Sequence, residues 1–156
     1  MQQKVLFVCL GNICRSPLAR ALFQKHLEDR NLTHRFSCDS AGTSGLHQGE
    51  NADPRTLKNA AQNGLLFNHS ARQFRVTDFE EFDHIVVMDE SNEVNVLKLC
   101  RADHHAQKVS RMRNWDEENP GANVPDPWYG GEEGFEEVFR ILERSTLALL
   151  KDLSKV

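Results

Sequence analysis

Chemistry in this sequence concentrates in Cys9-Leu10-Gly11-Asn12-Ile13-Cys14-Arg15-Ser16, where a thiol and a guanidinium bracket a short loop. A thiol attacks as thiolate, and backbone N–H groups, a helix N-terminus and a guanidinium all favour that anion. Cys9 is therefore the candidate nucleophile. Gly11 permits positive φ and Asn12 tolerates it, so the N–H groups of Leu10 to Cys14 can turn inward as an anion nest. Arg15 offers a planar fork of donors that matches two oxygens of a tetrahedral oxyanion, which lysine cannot match bidentately. Ser16 can donate its hydroxyl to the thiolate, making the sulfur a better leaving group in a second step. A lone cysteine at a strand end is ordinarily a small buried hydrophobe. The complete string between strand and helix is far more specific. It is no nucleotide loop, since the second glycine and the lysine of that motif are missing, and no second cysteine pair completes a zinc site.

The flanking segments explain how such a loop is held. Val5-Leu6-Phe7-Val8 is short, apolar and rich in strand formers, so it reads as a buried strand. Ser16 as cap and Pro17 in the first turn open a helix over 18–30, with Ala19, Leu22, Phe23 and Leu27 at helical spacing. The loop then wraps a helix N-terminus, where unpaired N–H groups and the positive end of the dipole meet. Downstream, the patterns predict a strand over 34–40, a glycine-rich loop over 41–52, and a helix from Asp53-Pro54 to Gly64. A strand over 84–88, a helix over 90–100 and a strand over 108–112 follow. Residues 114–134 form a long proline- and glycine-rich loop, long enough to suspect function. The last helix carries Phe135, Val138, Phe139, Leu142, Thr146, Leu149, Leu150 and Leu153 on one stripe. Alternating strands and helices predict an α/β fold of three layers, a four-stranded parallel sheet flanked by helices on both faces. Ligands in such folds bind beyond the carboxyl ends of the strands, where the first loop and the loop after strand four meet.

Cys9 through Pro17, with Asp39-Ser40-Ala41-Gly42-Thr43 and Asp126-Pro127-Trp128-Tyr129-Gly130, resembles the low-molecular-weight protein tyrosine phosphatases over essentially the whole chain. Related arsenate reductases share the first loop, and the Asp-Pro pair separates the two. The resemblance implies a phosphatase that hydrolyses phosphotyrosine and aryl phosphates through a phosphocysteine on Cys9, with Arg15 binding the phosphoryl oxygens. Asp126, bracketed by Pro125 and Pro127, would be the general acid and base; read alone, the same residues shape an ordinary turn. It implies a supporting network of Asn12, Ser16, Ser40 and His69; otherwise Ser40 is a turn serine and His69 a surface histidine. Leu46 takes the place of an aromatic residue common in eukaryotic members, leaving the ring wall to Leu46, Trp128 and Tyr129, unless the last two are loop anchors. No cofactor or metal is implied. Tyrosine-phosphorylated proteins would be substrates, a cognate tyrosine kinase a further partner, and phosphate-like oxyanions inhibitors. An arsenate reductase would need further cysteines near residues 80–90, where there are none. A non-catalytic phosphotyrosine-binding module would not need Cys9, Arg15 and Asp126 together.

Composition bounds the rest. A chain of 156 residues reads as a single domain over 1–156, able to bury about 70% of its unfolded surface. Its net charge of −4 gives no general attraction to nucleic acid or membranes. No apolar run approaches a membrane span, and 5–10 is too short for a signal peptide, so a cytoplasmic location is expected. Four cysteines in that setting read as reduced thiols. Cys14 either packs beneath the loop or condenses with an oxidised Cys9 as a protective disulfide. Cys38 and Cys100 read as buried or inert, His104-His105 as a solvated turn, and Arg111 and Arg113 as a solvated strand end. Asp89 caps a helix and is a candidate brace for the pocket.

Overall fold

The computed structural model describes residues 2–155. The strands β1 (Gln3–Cys9), β2 (Phe36–Gly42), β3 (His84–Val87) and β4 (Val109–Arg111) form one sheet in the order β2-β1-β3-β4, every neighbouring pair parallel. Among the described residues six α-helices accompany them: α1 (Arg15–Asp29), α2 (Pro54–Gln62), α3 (Asp78–Glu81), α4 (Glu90–Leu97), α5 (Asp103–Gln107) and α6 (Glu132–Leu153). Strand β1 is central, so both its faces are covered and its residues are apolar without alternation. Val5 and Phe7 point into a cluster with Leu22, Phe23 and Leu27 of α1, Ala60 of α2 and Phe139 and Leu142 of α6. Leu6 and Val8 point the other way, to Phe79 of α3 and Val96 of α4. These are the three predicted layers. Among the described residues no helix is long and apolar enough to cross a membrane.

Several boundaries differ from the sequence expectation for physical reasons. Strand β2 runs to Gly42 rather than stopping at Ser40, because β1 pairs with it residue for residue from Gln3 opposite Phe36 to Cys9 opposite Gly42. Gly42 is required there: a Cβ would meet the Leu10 carbonyl oxygen at 2.7 Å and the Asn12 nitrogen at 3.0 Å. Helix α1 begins at Arg15 with Cys14 in the cap position and no side-chain cap. Ser16 is therefore not the cap, and its hydroxyl turns toward Cys9. Helix α2 starts as expected, with the Asp53 carboxylate accepting from the Arg55 N–H and Pro54 in the first turn. The stripe of α6 is buried as predicted, except that Leu153 is only half-buried.

Two surface assignments are overturned. Arg113 is buried, donating to Asp116 at 2.9 Å and to the Asn123 carbonyl at 2.9 Å, and Arg144 of α6 grips the other side of the same fully buried Asp116. This pair of arginines ties the long loop to the helical layer, a long-range demand that local sequence does not show. Likewise 103–107 is helical rather than a solvated turn. His105 is buried and stacked on Phe79 with ring centroids 4.6 Å apart, and both His104 and His105 meet one oxygen of Glu80, at 2.9 and 2.6 Å. His105 Nδ1 accepts from the Arg101 N–H, so its Nε2 carries the proton given to Glu80. The cluster is thus a hydrogen-bonded clasp between α3 and α5 rather than a set of free metal ligands.

Candidate active site

The loop after β1 is built by using its backbone polar groups one-sidedly. Its carbonyls are taken: Thr43 N–H donates to Cys9 O (2.9 Å), Ser44 N–H to Leu10 O (2.9 Å), His69 Nε2 to Asn12 O (2.7 Å) and Asp53 N–H to Ile13 O (2.8 Å). Among the described residues, the N–H groups of Leu10, Gly11, Asn12, Ile13 and Cys14 have no protein acceptor. Asn12 takes φ 57°, the left-handed conformation that turns successive N–H groups toward one point. Helix α1 adds its own unpaired N-terminal groups.

Around that nest lie the predicted reactive groups. Cys9 ends the central strand, and its Sγ is 3.0 Å from Ser16 Oγ. Although Cys9 is buried rather than freely accessible, it lines a cavity of about 270 Å³ together with Leu10, Gly11, Ile13, Cys14, Arg15 and Asp126. Arg15 is only 2% exposed. Its Nη1 donates to Asp89 at 2.7 Å and to the Val124 carbonyl at 3.0 Å, while Nη2 lies 3.7 Å from Asp126. Burial alone would lower the Arg15 guanidinium, but Cys9 and Asp89 outweigh it and hold it above the ordinary arginine value. Asp89 does both things the sequence suggested: one oxygen caps α4 at Asn92, the other orients Arg15.

The supporting network also assembles. Asn12 Nδ2 donates to Ser16 Oγ at 2.8 Å and to Ser40 Oγ at 3.0 Å, and Asn12 Oδ1 accepts the Arg72 N–H at 3.0 Å. His69 is no ordinary surface histidine, since it donates into the loop. The sequence did not flag Arg72, which is held by a bidentate pair with the fully buried Asp78 and by Asp39. Its role shows only once the turn after His69 packs on Asn12. Cys14 is buried within the loop near Asp53, on the wall of the same cavity, and burial pushes its thiol up to about 12.

At the mouth, Leu46 (80% exposed) and Tyr129 (93% exposed) line the cavity and face solvent, with Trp128 partly exposed. His47, outside the expected wall residues, joins them. Its ring would lie 3.1 Å from a Cβ at Gly11, and it approaches Trp128 with centroids 5.9 Å apart. A polar, donor-rich floor under an apolar rim fits a tetrahedral oxyanion on a ring-bearing group.

A thiol within an oxyanion-binding loop, with a guanidinium and a carboxyl group at its edge, defines a site of the kind cysteine-dependent phosphatases use. The family model of the low molecular weight phosphotyrosine protein phosphatases matches residues 4–156. The chain is 43% identical over 152 residues to a low molecular weight protein-tyrosine-phosphatase of Streptomyces coelicolor, covering 96% of this chain and 93% of that one. It is 38% identical over 155 residues to the low molecular weight phosphotyrosine protein phosphatase of Homo sapiens, covering 96% and 94%. A crystal structure of a protein tyrosine phosphatase from Entamoeba histolytica, with Hepes in its active site, superposes with a TM-score of 0.93 at 40% identity, covering 97% of each chain. The chain belongs to the low molecular weight phosphotyrosine protein phosphatase family.

Burial holds His69 below its ordinary value of 6.5, outweighing the bond to the Asn12 carbonyl. Above that value the ring is neutral in folded and unfolded chains alike. As pH falls below it the unfolded chain takes the proton first, so stability drops with acidification. Urea unfolding between pH 7.5 and 5.5 should show this slope, with His26 and His84 contributing in the same direction. His69→Gln should lower stability at pH 7.5 and flatten the slope by at most one proton's share; an unchanged slope would remove His69 from the linkage.

Proposed function

We propose that this protein hydrolyses phosphotyrosine and related aryl phosphate monoesters, with Cys9 as nucleophile, Arg15 and the loop N–H groups as oxyanion cradle, and Asp126 as general acid and base. The observation that carries this reading is the meeting of Cys9, Arg15 and Asp126 on one cavity beside a run of N–H groups that have no acceptor among the described residues. In the first step the Cys9 thiolate forms an S–P bond as the P–O bond to the phenol breaks, and Asp126 gives its proton to the departing oxygen. In the second, Asp126 as carboxylate takes a proton from water, the water oxygen bonds to phosphorus and the S–P bond breaks. The Ser16 hydroxyl, within 3.0 Å of Sγ, donates to the thiolate as it leaves. Charge on the equatorial oxygens persists throughout, so preorganised donors supply much of the stabilisation.

The rim supports tyrosine phosphorylated in proteins as substrate: Leu46, Trp128 and Tyr129 can flank an aromatic ring whose phosphate reaches the floor. The Hepes in the Entamoeba histolytica phosphatase, a sulfonic acid, agrees with a tetrahedral oxyanion as ligand. An arsenate reductase is disfavoured because it would need further cysteines near residues 80–90, where there are none. A further role for Cys14 follows from its place in the same loop. Peroxide would oxidise the Cys9 sulfur to sulfenic acid, and the Cys14 sulfur would displace water to form a Cys9–Cys14 disulfide.

Cys9→Ser should cut aryl phosphate turnover at least about 10³-fold while inorganic phosphate still binds; near-normal turnover would sink the nucleophile assignment. Asp126→Ala should slow phenols of ordinary acidity by about 10²–10⁴-fold and nitrophenols far less. An equal loss across the leaving-group series would make Asp126 structural. After peroxide, dithiothreitol should restore the wild type but much less of Cys14→Ser, and equal recovery would leave Cys14 a packing residue.

A further inference from the structure

The segment 125–131 carries Asp126, whose carboxylate lies 3.7 Å from Arg15 Nη2, and it makes few hydrogen bonds to other elements. Asp126 Oδ1 accepts the Trp128 N–H at 3.0 Å and Gly130 N–H donates to Pro127 O at 3.0 Å. Upstream, the chain is fastened at Val124, whose N–H donates to Met88 O and whose carbonyl accepts from Arg15. Gly131 leads into α6, where the Gly134 N–H donates to its carbonyl at 3.0 Å; between Pro125 and Gly130, the one hydrogen bond among the described residues that reaches another element runs from Arg55 Nη1 of α2 to the Trp128 carbonyl at 3.0 Å. The same guanidinium lies 5.3 Å from the Trp128 ring centroid and 4.8 Å from that of Phe135 in α6.

Arg55 is itself fixed. Its Nε and Nη2 fork onto Asp53 at 3.1 and 2.9 Å. Burial would raise the Asp53 carboxyl, but Arg55 outweighs it and keeps it below the usual carboxylate range. Asp53 is anchored as the cap of α2, and its N–H holds the Ile13 carbonyl of the anion loop. The guanidinium thus joins the loop that binds the oxyanion to the segment that carries the proton donor.

We infer that Arg55 is a positioning residue for proton transfer, pinning the far end of the Asp126 segment so that the carboxyl group stays over the leaving oxygen. Pro125 and Pro127 make that segment a stiff arm, and a stiff arm transmits the position of its pinned end to the side chain between. Displacement of a catalytic group by about 1 Å can cost on the order of 10²-fold. Arg55 does not line the cavity that Cys9, Arg15 and Asp126 share, so its influence passes through Asp126. The inference rests on the proposed role of Asp126, and the experiment separates the two.

Aryl phosphates with phenols from acidic to weakly acidic should be compared on wild type, Arg55→Met, Arg55→Lys, Asp126→Asn and the Arg55→Met/Asp126→Asn double variant. Arg55→Met should lower kcat about 10- to 100-fold for weakly acidic phenols and little for nitrophenols, with the inhibition constant of inorganic phosphate within a few-fold of wild type. Arg55→Lys should recover part of the loss, since an ammonium can reach the Trp128 carbonyl but cannot also fork onto Asp53. In the Asp126→Asn background, Arg55→Met should cost almost nothing more, because the group it positions is already disabled. A uniform loss across the phenols with weakened phosphate inhibition would overturn the inference, assigning Arg55 to the shape of the cradle. Additive losses in the double variant would overturn it too. If Asp126→Asn itself left the leaving-group dependence unchanged, the proton-donor reading would fail and the positioning role with it.

Discussion

The carbonyls of Cys9, Leu10, Asn12 and Ile13 are each held by a donor from elsewhere in the chain, and that division of backbone polar groups is the constraint on which the rest of this structure depends. A buried peptide group without a partner is costly. A loop that keeps its N–H groups for an oxyanion must therefore have its carbonyls satisfied from outside and its backbone forced into an unusual path. The donors come from after β2, from the turn at His69 and from the cap of α2. Gly42 gives up a side chain so that the loop can approach the sheet, and Asn12 accepts a left-handed backbone because its amide is bonded at both ends.

Aspartate–arginine pairs do the second layer of positioning. Asp89 orients Arg15, Asp78 and Asp39 hold Arg72 behind Asn12, Asp53 holds Arg55, and Asp116 is gripped by Arg113 and Arg144. Desolvation consumes much of the attraction in such pairs, so their main effect is geometric: a planar fork on a carboxylate admits few orientations. Asp89–Arg15, Asp39–Arg72 and Asp116–Arg144 join segments far apart in sequence, whereas Asp53–Arg55 and Asp116–Arg113 brace their own turns. In a chain with four more acidic than basic charges at neutral pH, these pairs leave the local positive potential of Arg15 and the loop to attract an anion.

The two halves of the site have different physical character. The floor is rigid, set by the central strand and α1, whereas the side carrying Asp126 and Trp128 hangs on few contacts. Tight binding of a phosphate needs the first, and entry of a bulky phosphorylated residue suits the second. The exposed Leu46 and Tyr129 give that entrance apolar edges without closing it.

Read alone, the sequence gives away the three layers, the buried first strand, the loop after it and the α2 start, because each is written in local terms: a short apolar run, a loop between strand and helix, Asp-Pro at a helix start; that β1 lies inside the sheet is decided by strand pairing. It also pointed to Cys9 and Arg15 through a loop whose chemistry needs those residue types, and to Asp126 only through the family resemblance, since local pattern reads it as a turn. Local pattern could not fix the end of β2, since pairing with β1 extends it, nor place Ser16, which points to Cys9 instead of capping. His105 and Arg113 read as surface residues because polar side chains usually are, and only their partners Phe79, Glu80 and Asp116 show that they are buried. Arg55 and Arg72 were silent for the same reason. Their roles are contacts with segments distant in sequence, and only tertiary packing creates such contacts, by bringing α2, the turn after His69 and the Asp126 segment to the carboxyl end of one sheet.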